Sequence, residues 1–136
     1  NREVEIRRRT SPEGRAGEYP DILVEALGDN GNGATADTIR LVVEVKGCWN
    51  KDARHAMKVQ LTDRYLHENQ TRSGLFVVGW YKCVQWVESD YRKHSIQWET
   101  IEACKAALDQ QAKEINNSEF RADGEVRSVV LDVALR

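Results

Sequence analysis

Apolar positions along the chain recur with two periods. Val4 and Ile6 alternate with charged neighbours over Glu3–Arg9, the pattern of a half-buried strand, and Thr10–Tyr19 then supplies Ser, Pro and two Gly as a loop. Asp21–Leu27 and Thr38–Lys46 are runs rich in β-branched residues. The segment between them contains Asn30-Gly31 and Asn32-Gly33, steps that favour positive φ, so the two runs predict a hairpin with a loose tip. Ala53, Ala56, Met57 and Leu61 recur at helical spacing, which predicts a helix over Lys51–Asn69. Gly74–Tyr81 is a nearly continuous apolar run of strand length, the expectation for a central strand covered on both faces. Lys82–His94 is mixed and aromatic and reads as a connection with a short helix. Ile101, Cys104, Leu108 and Ile115 mark a second amphipathic helix within Ser95–Asn116, with Asn116-Asn117-Ser118 as its stop. In Val126–Leu135, Val129, Leu131, Val133 and Leu135 share one side, with Arg127 in register and Ser128 and Asp132 opposite, so the apolar side is expected to be buried. The order β-β-β-α-β-α-β predicts an α/β domain with a mixed central sheet flanked by helices.

Composition narrows the class without naming a function. With 136 residues, 40% hydrophobic and 31% charged, the chain has the make-up of one globular domain, residues 1–136, and not of a disordered or fibrous segment. Lys and Arg number 20 against 22 Asp and Glu, a formal charge of −2, so a nucleic-acid partner would have to be met by a local basic patch. Cys48, Cys83 and Cys104 are an odd number with no CxxC pair, which fits thiols in a reducing compartment better than disulfides or metal ligands. No apolar run approaches the ~18 residues of a bilayer span, and no leader pattern opens the chain, so a cytoplasmic location is expected. The sequence begins at Asn1 with a strand pattern almost at once. It therefore reads as a domain taken from a longer polypeptide, whose other domains would be its partners.

The chemistry lies where polar residues interrupt apolar strands. Glu44 and Lys46 stand two apart in Thr38–Lys46, hence on one face. A hairpin folded about Asn32-Gly33 sets Asp21, which follows Pro20, directly across from Glu44, although a slip of one residue would separate them. Opposed carboxylates are destabilising unless something positive lies between them, and a divalent cation is the economical candidate. On a helical wheel of about 100° per residue, Gln60 falls within the apolar arc of Lys51–Asn69. A glutamine there needs a specific hydrogen-bond partner, with a backbone carbonyl as the plain alternative. Lys51, Arg54, His55 and Lys58 cluster on the opposite face, either a solvated helix face or a stripe for phosphates.

Pro20-Asp21, then Glu44-Val45-Lys46 on a paired strand, then a helix bearing Gln60, resembles the PD-(D/E)XK nuclease superfamily, the restriction endonuclease-like fold, over about residues 3 to 81. The resemblance implies an α-β-β-β-α-β core whose opening helix is not in this sequence, Glu3, Glu5 and Glu18 being the acidic residues near that end. It also implies that Asp21, Glu44 and the carbonyl of Val45 hold Mg²⁺ or Mn²⁺. Lys46 would orient a water or stabilise charge building on phosphorus, Gln60 would brace the water or a phosphate, and DNA phosphodiesters would be hydrolysed. Gln60 with Tyr65 is similar to the glutamine–tyrosine helix motif of RecB-like members, with a spacing of five in place of four.

Other candidates carry plainer readings. His55, His67 and His94 lack HxxxH or HxH spacing and are expected to be solvated; Trp80 is expected in the core, and Trp49, soon after Lys46, near the cleft. Trp49, Trp80, Trp86 and Trp98 are each of a type that can stack bases. Arg7, Arg8 and Arg9 read as ordinary surface or as phosphate contacts, and Glu25, on the face of Asp21 by parity, as a surface carboxylate in preference to an accessory ligand. Two functions follow: a metal-dependent deoxyribonuclease domain, as in a bacterial defence or repair protein, or a catalytically inactive module keeping the same fold for nucleic-acid binding or assembly.

Overall fold

A computed structural model describes residues 3–7 as backbone, and residues 19–27, 38–120 and 123–135 in full. The expected loop 10–18, the hairpin tip 28–37, Arg8, Arg9 and Glu18 lie outside the described residues, and for Glu3, Glu5 and Arg7 only the backbone is described. The elements are β1 (Glu3–Arg7), β2 (Ile22–Leu27), β3 (Thr38–Gly47), α1 (Ala53–Ala56) running on as a π-helical segment (Met57–Leu66), β4 (Ser73–Trp80), α2 (Tyr91–Ser95), α3 (Ile101–Ile115) followed by a π-helical turn (Asn116–Phe120), and β5 (Glu125–Asp132). The fold is α/β, as expected.

The five strands form one mixed sheet in the order β1-β2-β3-β4-β5. β1–β2 and β2–β3 are antiparallel, as a hairpin demands, whereas β3–β4 and β4–β5 are parallel and each is joined by a helical crossover. Local chemistry sets the helix ends. Thr100 accepts a hydrogen bond from the Ala103 N–H at 3.1 Å and starts α3, and Asp90 does the same for Arg92 at 3.0 Å at the start of α2. At the far end the Asn116 side-chain amide exchanges two hydrogen bonds with the Val126 backbone, at 2.9 and 2.8 Å, and ties the last turn to β5.

Both long helical segments lie on the same face of the sheet. Leu23, Val42, Phe76, Val78 and Val126 share one buried cluster with Ala56, Met57 and Leu61 from the first crossover and with Cys104, Leu108 and Ile115 from the second. Two expectations are thereby corrected. β4 is central, but among the described residues the helices cover one of its faces, and Leu75 and Val77 on the other are half-buried. In β5 the buried side is the one carrying Val126, with Ser128 bonded to Asp109 of α3, while Val129, Leu131 and Val133 are exposed. Alternation separates two sets of side chains, but the register with β4, which pairs Val77 with Val129 and Val78 with Val130, decides which set meets the helices. β5 also ends at Asp132 and not at Leu135.

Candidate functional site

The β2–β3 register pairs Ile22 with Val43, so the next position outward sets Asp21 against Glu44, as the hairpin arithmetic expects. Pro20 has no N–H to offer, and regular pairing stops at Ile22. Asp21 then uses its side chain in place of a ladder bond: its Oδ2 accepts from the Val45 N–H at 2.7 Å. Val45, expected to contribute its carbonyl oxygen, is thus tied to Asp21 by its N–H.

Glu44 is the one charged side chain in the buried class among the described residues, 2% exposed, in a strand where its in-register neighbour on β4 is the buried Phe76. Its Oε1 accepts from Lys46 Nζ at 2.5 Å, one pleat along the same face. Its Oε2 is buried with no hydrogen-bond partner. Burial pushes the Glu44 carboxyl above the ordinary value of 4.5 and the charge of Asp21 pushes it further, while the bond from Lys46 holds the rise down. A buried carboxylate with one oxygen satisfied and one orphaned has spare capacity for a positive partner.

The helix after β3 brings the second set. Gln60 is half-buried, and its Oε1 is likewise buried without a partner, so the specific bond expected for it is not supplied by the described residues. Tyr65 is buried, and burial followed by the negative charge of Glu44 raises its phenol, with Asp21 adding a smaller push in the same direction. These influences place Tyr65 within electrostatic reach of both carboxylates. The winding explains the unusual spacing. In the π-helical segment bonds run between residues five apart, as Thr62 Oγ1 to the Met57 carbonyl at 2.8 Å also does. Residues five apart therefore follow one another on one face, and Gln60 and Tyr65 do so here as residues four apart would in an α-helix.

The remaining candidates sort themselves by their partners. Glu25 is held by Arg40 at 2.7 Å, which makes it a structural carboxylate. The basic helix face is internally engaged: Arg54 bonds the Gln97 carbonyl and lies over the Trp98 ring, and Lys58 pairs with Asp63 and Glu119. His55, His67 and His94 are exposed, and His94 bonds the Glu88 carbonyl. Trp80 is in the core at 6% exposure, and all three cysteines are free thiols, with burial pushing Cys104 up to about 12. Trp49 lies beyond Lys46 in an aromatic group with Tyr81 and Trp86 that Arg92 joins. Sequence periodicity missed that group, because Tyr81, Trp86 and Arg92 fall in or beside an aperiodic connection.

Among the described residues no three His, Cys, Asp or Glu side chains come together as a metal cluster. The arrangement offers two carboxylates, with one orphaned oxygen on Glu44, oxygen ligands that suit a hard cation keeping several waters, and sets a lysine beside them. No described helix is long and apolar enough to cross a membrane. Comparison of the chain with family models, with curated proteins and with solved structures gives no match.

Proposed function

We propose that this chain is a metal-dependent nuclease domain of the PD-(D/E)XK, restriction endonuclease-like, class, hydrolysing phosphodiester bonds in DNA. One observation carries the reading. Glu44, buried in a strand beneath the helices, faces Asp21 across the hairpin, keeps one carboxylate oxygen without a partner and has Lys46 beside it. A fold gains no stability from burying a half-satisfied carboxylate opposite a second one, so the pair calls for a cationic ligand.

Asp21, Glu44 and the Val45 carbonyl would hold Mg²⁺ or Mn²⁺, which when bound polarises a phosphoryl oxygen and lowers the pKa of a bound water. Glu44 has to be ionised to take part, and because its pKa is raised in the metal-free site, protons compete with the cation for it on acidification. Lys46 would turn its ammonium from Glu44 toward the phosphoryl oxygens, where negative charge builds as the water oxygen, having given its proton to bulk water, bonds to phosphorus and the sugar oxygen leaves and takes a proton from solvent. Gln60, whose Oε1 is buried without a partner, offers an amide to the water or to a phosphate oxygen.

The test is a gel of plasmid and linear DNA with Mg²⁺, Mn²⁺ or EDTA, run on the wild type beside Asp21→Ala and Lys46→Ala. Cleavage is expected with either metal and not with EDTA. Asp21→Ala abolishes it, and Lys46→Ala slows it by about 100-fold or more while DNA affinity is kept, because its charge acts on the transition state. A wild-type rate in Lys46→Ala, with DNA and metal saturating, overturns the mechanism. DNA binding with no cleavage under any metal would favour the inactive module.

A further inference from the structure

Gly47 ends β3 and is in register with Gly79 of β4. Each glycine seats an aromatic ring: a Cβ on Gly47 would fall 2.7 Å from the Trp49 indole, and one on Gly79 would fall 2.5 Å from the Tyr81 ring. Two adjacent glycines inside strands cost conformational entropy and side-chain packing, and such a cost marks a place where something must approach the backbone closely. The two seated rings lie 5.0 Å apart at 62°, and Trp86 meets Trp49 at 6.2 Å and 67°. At these angles the rings are not stacked on one another. Tyr81 remains 41% exposed, and Trp49 and Trp86 are half-buried. The Arg92 guanidinium lies over both indoles, 5.6 Å and 5.3 Å from their centroids, and Asp90 fixes its plane with bonds to two of its nitrogens, at 3.0 and 2.6 Å.

From this arrangement we infer that Tyr81, Trp86 and Arg92, on the support of the covered Trp49 ring, form a subsite for an unpaired nucleobase, so that the substrate is single-stranded or frayed DNA and not a closed duplex; the assignment to DNA rests on the proposed nuclease reading. Planar π-faces and a fixed guanidinium plane are the groups on which bases stack without regard to sequence. Their position supplies the preference for an unpaired strand. Gly47 and Gly79 belong to the face opposite Glu44 and Lys46, because side chains alternate along a strand, yet Gly47 is the residue next to Lys46. A base that reaches these rings from a phosphate held at Lys46 turns over the carboxyl edge of the sheet, which a base still paired in a helix cannot do. Directly after Tyr81 in the chain, Lys82 and Cys83 line an open groove of about 420 Å³ together with Glu99 and with Lys93, which pairs with Glu88, so that Lys82 is the cation this groove offers to the backbone of the same strand. Lys82 is braced there by a 3.0 Å bond to the Glu99 carbonyl.

The test measures binding in EDTA, where no cleavage competes. Anisotropy titrations use labelled oligothymidine of about 16 nucleotides and a blunt duplex of the same length, with wild type, Tyr81→Leu/Trp86→Leu and Arg92→Gln, each checked for an unchanged unfolding midpoint. The wild type is expected to bind the single strand about 10-fold or more tighter than the duplex, with its tryptophan fluorescence quenched by the single strand alone. The double variant loses about 10-fold or more for the single strand and leaves duplex affinity unchanged, and Arg92→Gln loses a smaller part of the same preference. Equal affinity of the wild type for both DNAs overturns the subsite, as does a correctly folded double variant that binds the single strand as the wild type does. The two readings fail separately. Metal-dependent cleavage without a single-strand preference removes the subsite and leaves the nuclease, whereas a ring-dependent single-strand preference without cleavage removes the nuclease and leaves the subsite.

Discussion

The two faces of the sheet invert the usual distribution of polarity. The helix-covered face is apolar at Val42, Phe76, Val78 and Val126, yet it buries Glu44 and half-buries Lys46 and Ser128. The other face is apolar along β2 and β3 and, past Ser73, Glu125 and Arg127, along β4 and β5, yet Ile39 is 66% exposed and Leu131 49%. Stability alone would have put a carboxylate on the open face and an aliphatic residue under the helices. The inversion shows that two different demands act on the sheet. On the covered face a carboxylate is kept out of water, a cost that the proposed cation site accounts for, and on the open face apolar side chains follow the strand propensity of Val and Ile without a described helix above them.

That comparison can be broken by measuring what each face contributes. Phe76→Ala empties a fully buried ring site and is expected to lower the unfolding free energy by about 3–5 kcal/mol in urea titrations. Gly47→Ala tests the ring seat at the end of β3. Its new methyl group meets the Trp49 ring, and a loss of about 1–3 kcal/mol is expected by the same measurement. Asp21→Ala removes the acceptor of the Val45 N–H at an exposed site and should cost about 1 kcal/mol, whereas Asp21→Asn keeps an acceptor and relieves the opposed charge, for a change near zero. Leu131→Ser on the open face should move stability by no more than about 0.5 kcal/mol. A loss there as large as that of Phe76→Ala would mean that the open face is as tightly packed as the covered one.

Glu44 also makes the comparison pH-dependent. The unfolded chain gives up the Glu44 proton near the ordinary 4.5, while burial makes the folded site hold it to higher pH. The folded state therefore binds more protons in that window. The stability linked to Glu44 is fully present below the unfolded value and is lost as pH rises through the raised one. In urea titrations across the acidic range, Glu44→Gln should lack this decline, and the difference from wild type isolates it from the lowered carboxylates of Glu88, Asp90 and Glu125, which change stability in the opposite sense.

What the residues told in advance depended on how locally each feature is determined. The hairpin register was legible because Pro20 bounds one run and Asn32-Gly33 lies midway in sequence between the two, so that Asp21 and Glu44 could be paired by counting. Both helical crossovers were legible from their apolar spacing. The side of β5 that is buried was not, because alternation has no sign until a neighbouring strand supplies one. The Gln60–Tyr65 relation was hidden for another reason. A spacing of five sets the two residues well apart on an α-helical wheel and brings them to one face only with the π-helical winding, which no periodicity in the segment announces. The ring group around Arg92 joins two strand ends to the 82–94 connection, and such a junction leaves no local pattern to count.

The central claim is that Asp21 and Glu44 on the covered face are arranged to hold a divalent cation. Calorimetric titration with Mn²⁺, repeated in buffers of different ionisation enthalpy at pH values just above the ordinary glutamate range, tests it most directly. One binding event is expected in the wild type, with protons released because Glu44 must ionise to bind, and it should vanish in both Asp21→Ala and Glu44→Ala. No binding to the wild type, or binding left unchanged in both variants, contradicts the account.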